Sequence, residues 1–234
     1  MRTYRSRTGP FPERPYYKIE EIERTCTIEL SAVGLLPTEP SPVRIERFIE
    51  KKFGVVPQYD DLPEGILGFS RFGPKGLEAV VISRDLVEED SKSAQRRANT
   101  TLAHEAGHAL FHAHLFVLGA PQPGMFGNDV TEPKILCRCD SVHSVASNQE
   151  YDGRWWEFQA NQAIGPLLMP RRLVHKALAG IVVPSGSLGV SEAIPDEHRE
   201  TAVALLAKTF EVNPAVARIR IQELYRVDTG QLTL

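Results

Sequence analysis

Apolar residues recur along this chain with the two spacings that distinguish helices from strands. The segment VRIERFIEKKFG places five apolar residues, from Val43 to Phe53, on one helical face, and Gly54 stops the pattern. Three short runs rich in β-branched and aromatic residues follow, namely GVVPQYD, GILGFSRFG and GLEAVVISRDL. Glycine, proline and aspartate separate these runs, which predicts a small antiparallel sheet.

Two further helices are predicted on either side of a polar segment. The first is SKSAQRRANTTLAHEAGHALFHAHLF, for which Ser91 or Ser93 supplies the N-cap. The second is RWWEFQANQAIGPLLM, which Pro166 ends or kinks and Pro170 terminates. The segment between them, residues 119–153, is rich in Gly, Pro, Asn, Asp and Ser and is predicted to be a long loop. A loop of that length inside a compact domain is usually functional.

The predicted organisation has three parts. Residues 1–16 are basic and proline-rich and are interpreted as a flexible N-terminal arm, since no apolar run of a secretory signal follows them. Residues 17–180 are expected to form an α+β domain, with the small antiparallel sheet packed on the two helices. Residues 181–234 are expected to form a C-terminal helical part, with helices at about 197–210 and 214–225.

Composition narrows the function classes. The formal net charge is −3, so the chain as a whole carries no electrostatic footprint for nucleic acid or a membrane surface. No run of apolar residues is long enough to span a bilayer. Three cysteines in 234 residues argue against a disulfide framework, and a cytoplasmic location is expected.

The chemistry of the chain is concentrated in TLAHEAGHALFHAH. His104 and His108 are four residues apart, so on a helix both imidazoles point the same way and can reach one ion, most often zinc. Glu105 lies beside them, where it can take a proton from a water at the ion, as in the H-E-x-x-H arrangement of zinc peptidases. Gly107 inside a helix costs about 1 kcal/mol relative to alanine. A neighbouring element is therefore expected to approach closely at this glycine.

The other two histidines of the segment are not expected to be ligands. His114 stands where some zinc proteases place a third ligand, but those enzymes need a glycine at the position of Phe111 so that the helix can break. Without that break, His114 lies roughly 9 Å further along the helix axis than His108. His112 is in phase with the first two histidines but one turn further on, so it is interpreted as a neighbour of the site.

The best candidate for a third ligand is Glu157, at the start of the second long helix. A glutamate there completes a His2Glu site and leaves the fourth position for water. Asn161, four residues on, faces the same way and can orient a ligand histidine through its other ring nitrogen. The rivals by charge lie in the polar segment and lack helical placement; they are Glu132, Glu150, Asp140 and Asp152.

These residues resemble the motifs of the ImmA/IrrE-type metallopeptidases, which carry an H-E-x-G-H helix followed by E-x-x-A-N and L-L-M-P. The matching positions are His104, Glu105, Gly107 and His108, then Glu157, Ala160 and Asn161, then residues 167–170. The resemblance covers roughly residues 43–172. It implies a zincin-like fold, a gluzincin-type site with one zinc, and a regulatory role, since relatives cut helix-turn-helix repressors.

Other signals leave some assignments open. Cys137 and Cys139, with His143 nearby, have a poor zinc spacing and are interpreted as ordinary free cysteines, although a thiol that caps the zinc in a latent form stays open. His143 and Tyr151 are both candidates for stabilising an oxyanion, and the sequence does not decide between them.

The last two helices leave a second class of function open. They resemble a helix-turn-helix pair, with Asn213 as a cap and with Arg218 and Arg220 as candidates for phosphate contacts. Residues 196–226 hold five basic and five acidic residues, and this balance favours helices that pack on the domain or on a partner protein. The alternative function is a DNA- or protein-binding transcriptional regulator with a non-catalytic metal site. The peptidase is preferred, because a pure binding module has no chemical need for Glu105.

Overall fold

The structure, a computed structural model, describes residues 2–5, 13–88, 91–115, 134–138, 155–185 and 191–225. Its helices are α1 Ile19–Ala32, α2 Ile45–Phe53, α3 Asp85–Glu88, α4 Lys92–Phe111, α5 Trp155–Leu168, α6 Arg171–Leu178, α7 Arg199–Thr209 and α8 Pro214–Leu224. Its strands are β1 Arg2–Arg5, β2 Glu13–Tyr16, β3 Gln58–Asp60, β4 Ile66–Gly73, β5 Gly76–Ser83, β6 Lys134–Arg138, β7 Val183–Ser185 and β8 Ser191–Ala193. The α+β class predicted from the sequence is confirmed.

The largest sheet has the strand order β3-β5-β4-β6. Strands β4 and β5 form an antiparallel hairpin, and β6 pairs antiparallel with the other edge of β4. The prediction of a small antiparallel sheet is confirmed for β4 and β5 but was wrong for β3, which pairs with β5 and runs parallel to it. Strand β6 lies in the segment predicted as a loop, where its five residues are too short a signal among the surrounding turn-forming residues.

Helix boundaries follow the local signals in the sequence. Helix α2 ends at Gly54, whose φ of 71° is the left-handed conformation that glycine adopts without strain. Helix α4 begins after Ser91, whose hydroxyl accepts a hydrogen bond from the amide of Ala94 at 3.1 Å. Both predicted boundaries are confirmed.

Helix α4 is the centre of the core, packed between the large sheet and α5. Its apolar residues Leu102, Ala103 and Ala106 are buried. Gly107 allows α5 to come close, since a Cβ built on it would lie 3.0 Å from the carbonyl oxygen of Ala160. The close approach expected at this glycine is therefore present, and it brings the first turns of α5 against the histidines of α4.

A hydrogen bond links the first two strands to this core, because the side-chain amide of Gln159 on α5 donates to the carbonyl oxygen of Pro15 on β2 at 2.7 Å. The segment predicted as an arm contains β1 and β2, which pair antiparallel. Within the described ranges, no helix combines the length and the apolar character needed to cross a membrane.

Arg220 joins α8 to the rest of the molecule. Its side chain is 1% exposed, and it donates to both carboxylate oxygens of Glu23 on α1 and to the carbonyl of Met169 after α5. Arg218 instead pairs with Glu200 on the surface. Arg220 therefore has no free surface for a phosphate, and the C-terminal helices pack on the domain as the charge balance favoured.

We expect Arg220→Met to destabilise the protein by about 3–5 kcal/mol, because it leaves the largely buried Glu23 carboxylate without its partner. Urea denaturation followed by circular dichroism measures the loss. Arg218→Met is the matched control on the same helix, and its surface ion pair contributes at most about 1 kcal/mol. Equal losses for the two variants would show that Arg220 is not a structural tie.

Candidate metal centre

Helices α4 and α5 bring together three of the residues that the sequence singled out. His104, His108 and Glu157 each offer a ligand atom, and these atoms all lie within 4.8 Å of one another in a buried position. Nε2 of His104 is 2.9 Å from Nε2 of His108. The Glu157 carboxylate oxygens lie 3.2 Å from the first of these nitrogens and 3.6 Å from the second. This group can hold a metal ion.

The spacing of these atoms fits a small tetrahedral ion. Ligand atoms about 2.1 Å from a tetrahedral zinc lie about 3.4 Å from one another. The two nitrogens lie 2.9 Å apart, Oε2 of Glu157 lies 3.2 Å from that of His104, and Oε1 lies 3.6 Å from that of His108, and these distances lie around that value. Two imidazoles and one carboxylate are also a donor set that zinc accepts.

The outer nitrogens of both imidazoles have partners that determine where the ring protons sit. Nδ1 of His104 lies 2.9 Å from Oδ1 of Asn161, an oxygen that can only accept, so Nδ1 carries the proton. Nδ1 of His108 lies 3.0 Å from Nδ1 of His112. With each proton on Nδ1, both Nε2 lone pairs face the Glu157 carboxylate. Three electron-rich atoms then converge on one buried point, an arrangement that a cation stabilises.

Glu105 lies next to this group but is held by a different element. Its Oε2 accepts a hydrogen bond of 2.5 Å from the hydroxyl of Ser70 on β4, and both side chains are fully buried. Among the described residues, none donates a hydrogen bond to its other oxygen, Oε1. Burial raises the pKa of Glu105 to about 7. A carboxyl group with that pKa can take up and release a proton near neutral pH.

The charges of the three candidate ligands suit a cation. Burial disfavours the Glu157 anion, but positive charge and hydrogen bonding from the His108 and His104 side, which require a proton there, outweigh burial and hold the pKa of Glu157 below its usual range. Burial also lowers the pKa of His108, which keeps that imidazole neutral. An ionised carboxylate and a neutral imidazole are the forms in which these side chains bind metals.

The raised pKa of Glu105 predicts a pH-dependent stability for the metal-free protein. The carboxyl favours folding while it is protonated, and that contribution is lost as the pH rises from 4.5 through about 7. Glu105→Gln removes the charge, so the variant should become more stable than wild type over this range. A pKa raised from 4.5 to about 7 corresponds to a difference in the free energy of unfolding, between the variant and wild type above pH 7, on the order of 3 kcal/mol.

Denaturant unfolding of both proteins at a series of pH values, with a chelator present, measures this difference. Glu64→Gln, at an exposed carboxylate, is the matched control. A constant difference between Glu105→Gln and wild type across this pH range would contradict the assigned cause.

The remaining residues considered in the sequence lie in several places. His112 contacts His108, as expected for a neighbour of the site, and His114 is not part of the three-residue group. Cys137 lies on β6. The others fall outside the residues that the structure describes: Cys139, His143, Tyr151, Glu132, Glu150, Asp140 and Asp152.

Two polar residues of the site were missed in the sequence. Ser70 occupies an interior position of β4, and Gln159 of α5 contacts His112. The signal for Gln159 was available, because the sequence places it between Glu157 and Asn161 on the predicted, largely apolar helix RWWEFQANQAIGPLLM. Ser70 had no such signal, since the strand pattern alone does not say which helix residue a serine faces.

No protein-family model matches this chain, and no curated protein matches it either.

Proposed function

We propose that this protein is a zinc-dependent endopeptidase with His104, His108 and Glu157 as ligands and Glu105 as the general base. The observation that carries the proposal is the placement of Glu105. A site that only binds a metal has no use for a second buried carboxylate with one oxygen held by Ser70 and a pKa near 7. A hydrolytic site needs such a group to take a proton from the attacking water.

Each residue of the proposed site has a separate role in hydrolysis. A bound zinc ion supplies Lewis acidity, which makes a water more acidic and polarises a peptide carbonyl. Glu105 accepts the proton from the water through its free oxygen Oε1 and then delivers it to the leaving amine. Ser70 keeps the carboxylate from turning away, because it holds the opposite oxygen. Asn161 keeps the His104 ring oriented with Nε2 toward the other ligands.

The finer assignment of fold and family belongs to the same proposal. A helix with H-E-x-x-H packed on a small sheet, and a glutamate from a second helix, support a zincin-like fold with a gluzincin-type site. The motifs that resemble the ImmA/IrrE-type metallopeptidases all lie on α4, on α5 or directly after α5. A cytoplasmic location accords with the three cysteines of the sequence.

The proposed substrate is one protein partner, such as a helix-turn-helix repressor, as the resemblance implies. Direct contact of the C-terminal helices with DNA is not favoured. Arg220 is buried against Glu23, and Arg218 is paired with Glu200. In the part of the chain that the structure describes, these two pairings disfavour the DNA-binding form of the second candidate, a DNA- or protein-binding transcriptional regulator with a non-catalytic metal site.

Two measurements test the proposed function. Elemental analysis of the purified protein should find one zinc per chain. The zinc-loaded protein should then generate new protein N-termini in a lysate of the source cell, detected by mass spectrometry, and a chelator should abolish them. One zinc per chain without any chelator-sensitive cleavage would favour the binding module, and no zinc at all would exclude the proposal.

A further inference from the structure

The hydrogen bonds around the candidate metal centre continue beyond the two helices to strand β2. Nδ1 of His108 lies 3.0 Å from Nδ1 of His112, and Nε2 of His112 lies 2.9 Å from Oε1 of Gln159. The amide nitrogen of Gln159 donates to the carbonyl oxygen of Pro15 at 2.7 Å. His108, His112 and Gln159 are all buried, so water does not compete with these bonds.

Only one direction of hydrogen-bond donation satisfies every group in this series of hydrogen bonds. The Pro15 carbonyl can only accept, so Gln159 turns its amide nitrogen toward it and its oxygen toward His112. That oxygen can only accept, so the proton of neutral His112 sits on Nε2 and its Nδ1 becomes an acceptor. Nδ1 of His108 must then donate. The lone pair of His108 is left on Nε2, which faces His104 and Glu157.

We propose that the Pro15 carbonyl of strand β2 sets the tautomer of His108, with Gln159 and His112 as positioning residues that transmit this choice. The proposal rests on the metal site of the proposed function but not on hydrolysis. The two candidate ligand histidines are held in different ways. His104 is oriented directly by Asn161 of α5, whereas the tautomer of His108 depends on strand β2.

The position of strand β2 should therefore affect how tightly the site binds a metal ion. If β2 moves away from α5, the Gln159 amide loses the acceptor that fixes its orientation. The amide can then rotate and present its nitrogen to Nε2 of His112. The proton of His112 then moves to Nδ1, and the proton of His108 moves to Nε2, the nitrogen that faces the metal. Metal affinity therefore falls when β2 is displaced.

The experiment compares full-length wild type with Gln159→Met, which keeps the side-chain volume but removes both hydrogen bonds. Gln162→Met is the matched control, on the same helix and one turn away. Zinc affinity is measured by competition with a chromophoric chelator, and histidine tautomers are read from nitrogen-15 NMR correlations. Loss of such outer partners costs roughly 10–100-fold in metal affinity. We expect a loss in that range for Gln159→Met and less than about twofold for Gln162→Met.

The NMR measurement on metal-free wild type, in which no ion fixes the lone pair of His108, decides the proposal even if Gln159→Met folds poorly. A proton on Nε2 of His112 and on Nδ1 of His108 supports it, and a proton on Nδ1 of His112 overturns it. Equal zinc affinity for the two methionine variants also overturns it. Wild type that binds no zinc removes the metal centre and this proposal together. Wild type that binds zinc with the expected tautomers but hydrolyses nothing supports the proposal and contradicts only the peptidase function.

Discussion

Glu105→Gln is expected to lose peptide hydrolysis by roughly 10²–10⁴-fold, the usual contribution of a positioned general base, while it retains zinc. The amide keeps the shape of the carboxyl and can still accept from Ser70, but it cannot take a proton from water. Glu105 lies outside the group of three side chains whose ligand atoms converge. Catalysis should therefore be lost without loss of the metal.

The measurement pairs the cleavage rate with the zinc content of the same preparation. Ser70→Ala is an informative companion, because it removes the hydrogen bond that holds Oε2 of Glu105 and leaves the carboxyl itself in place. It should reduce the rate by less than Glu105→Gln does. Full activity in Glu105→Gln would refute the assigned base, and joint loss of zinc and activity would indicate that Glu105 belongs to the metal site.

Glu157→Ala is expected to weaken zinc binding by more than the roughly 10–100-fold that loss of an outer partner costs. The substitution removes the only carboxylate of the buried three-residue group found in the described ranges, and with it the negative charge that faces His104 and His108. Two neutral imidazoles on one helix remain, and they provide neither the charge nor the third ligand atom of a catalytic zinc site.

Competition with a chelator of known affinity measures this loss, and Gln162→Ala on the same helix is the control for removing a polar side chain from α5. Circular dichroism separates loss of metal from loss of fold. Zinc affinity equal to that of wild type would reject Glu157 as a ligand and direct attention to the carboxylates of residues 119–153.

Local patterns in the sequence predicted the two helices that carry the candidate site and much of the site itself. A helix period of 3.6 residues places positions four apart on the same side, so the spacing alone aligned His104 with His108 and Glu157 with Asn161. The same reasoning identified Gly54 and Ser91 as helix boundaries, since a left-handed glycine and an N-cap serine act through neighbouring backbone groups. Gly107 signalled a close helix contact, because glycine inside a helix needs a packing reason.

The sequence by itself therefore determined the helices α2, α4, α5, α7 and α8, the runs that form β4 and β5, and which side chains share a helix face. Only the tertiary structure decided that β3 runs parallel to β5 and that β6 joins β4. It also decided that Ser70 holds Glu105 and that Gln159 links His112 to Pro15. The physical reason is the separation along the chain: periodicity and capping act within one or two helical turns, whereas these contacts join residues 23 to 144 positions apart. Such pairs meet only when the core has packed.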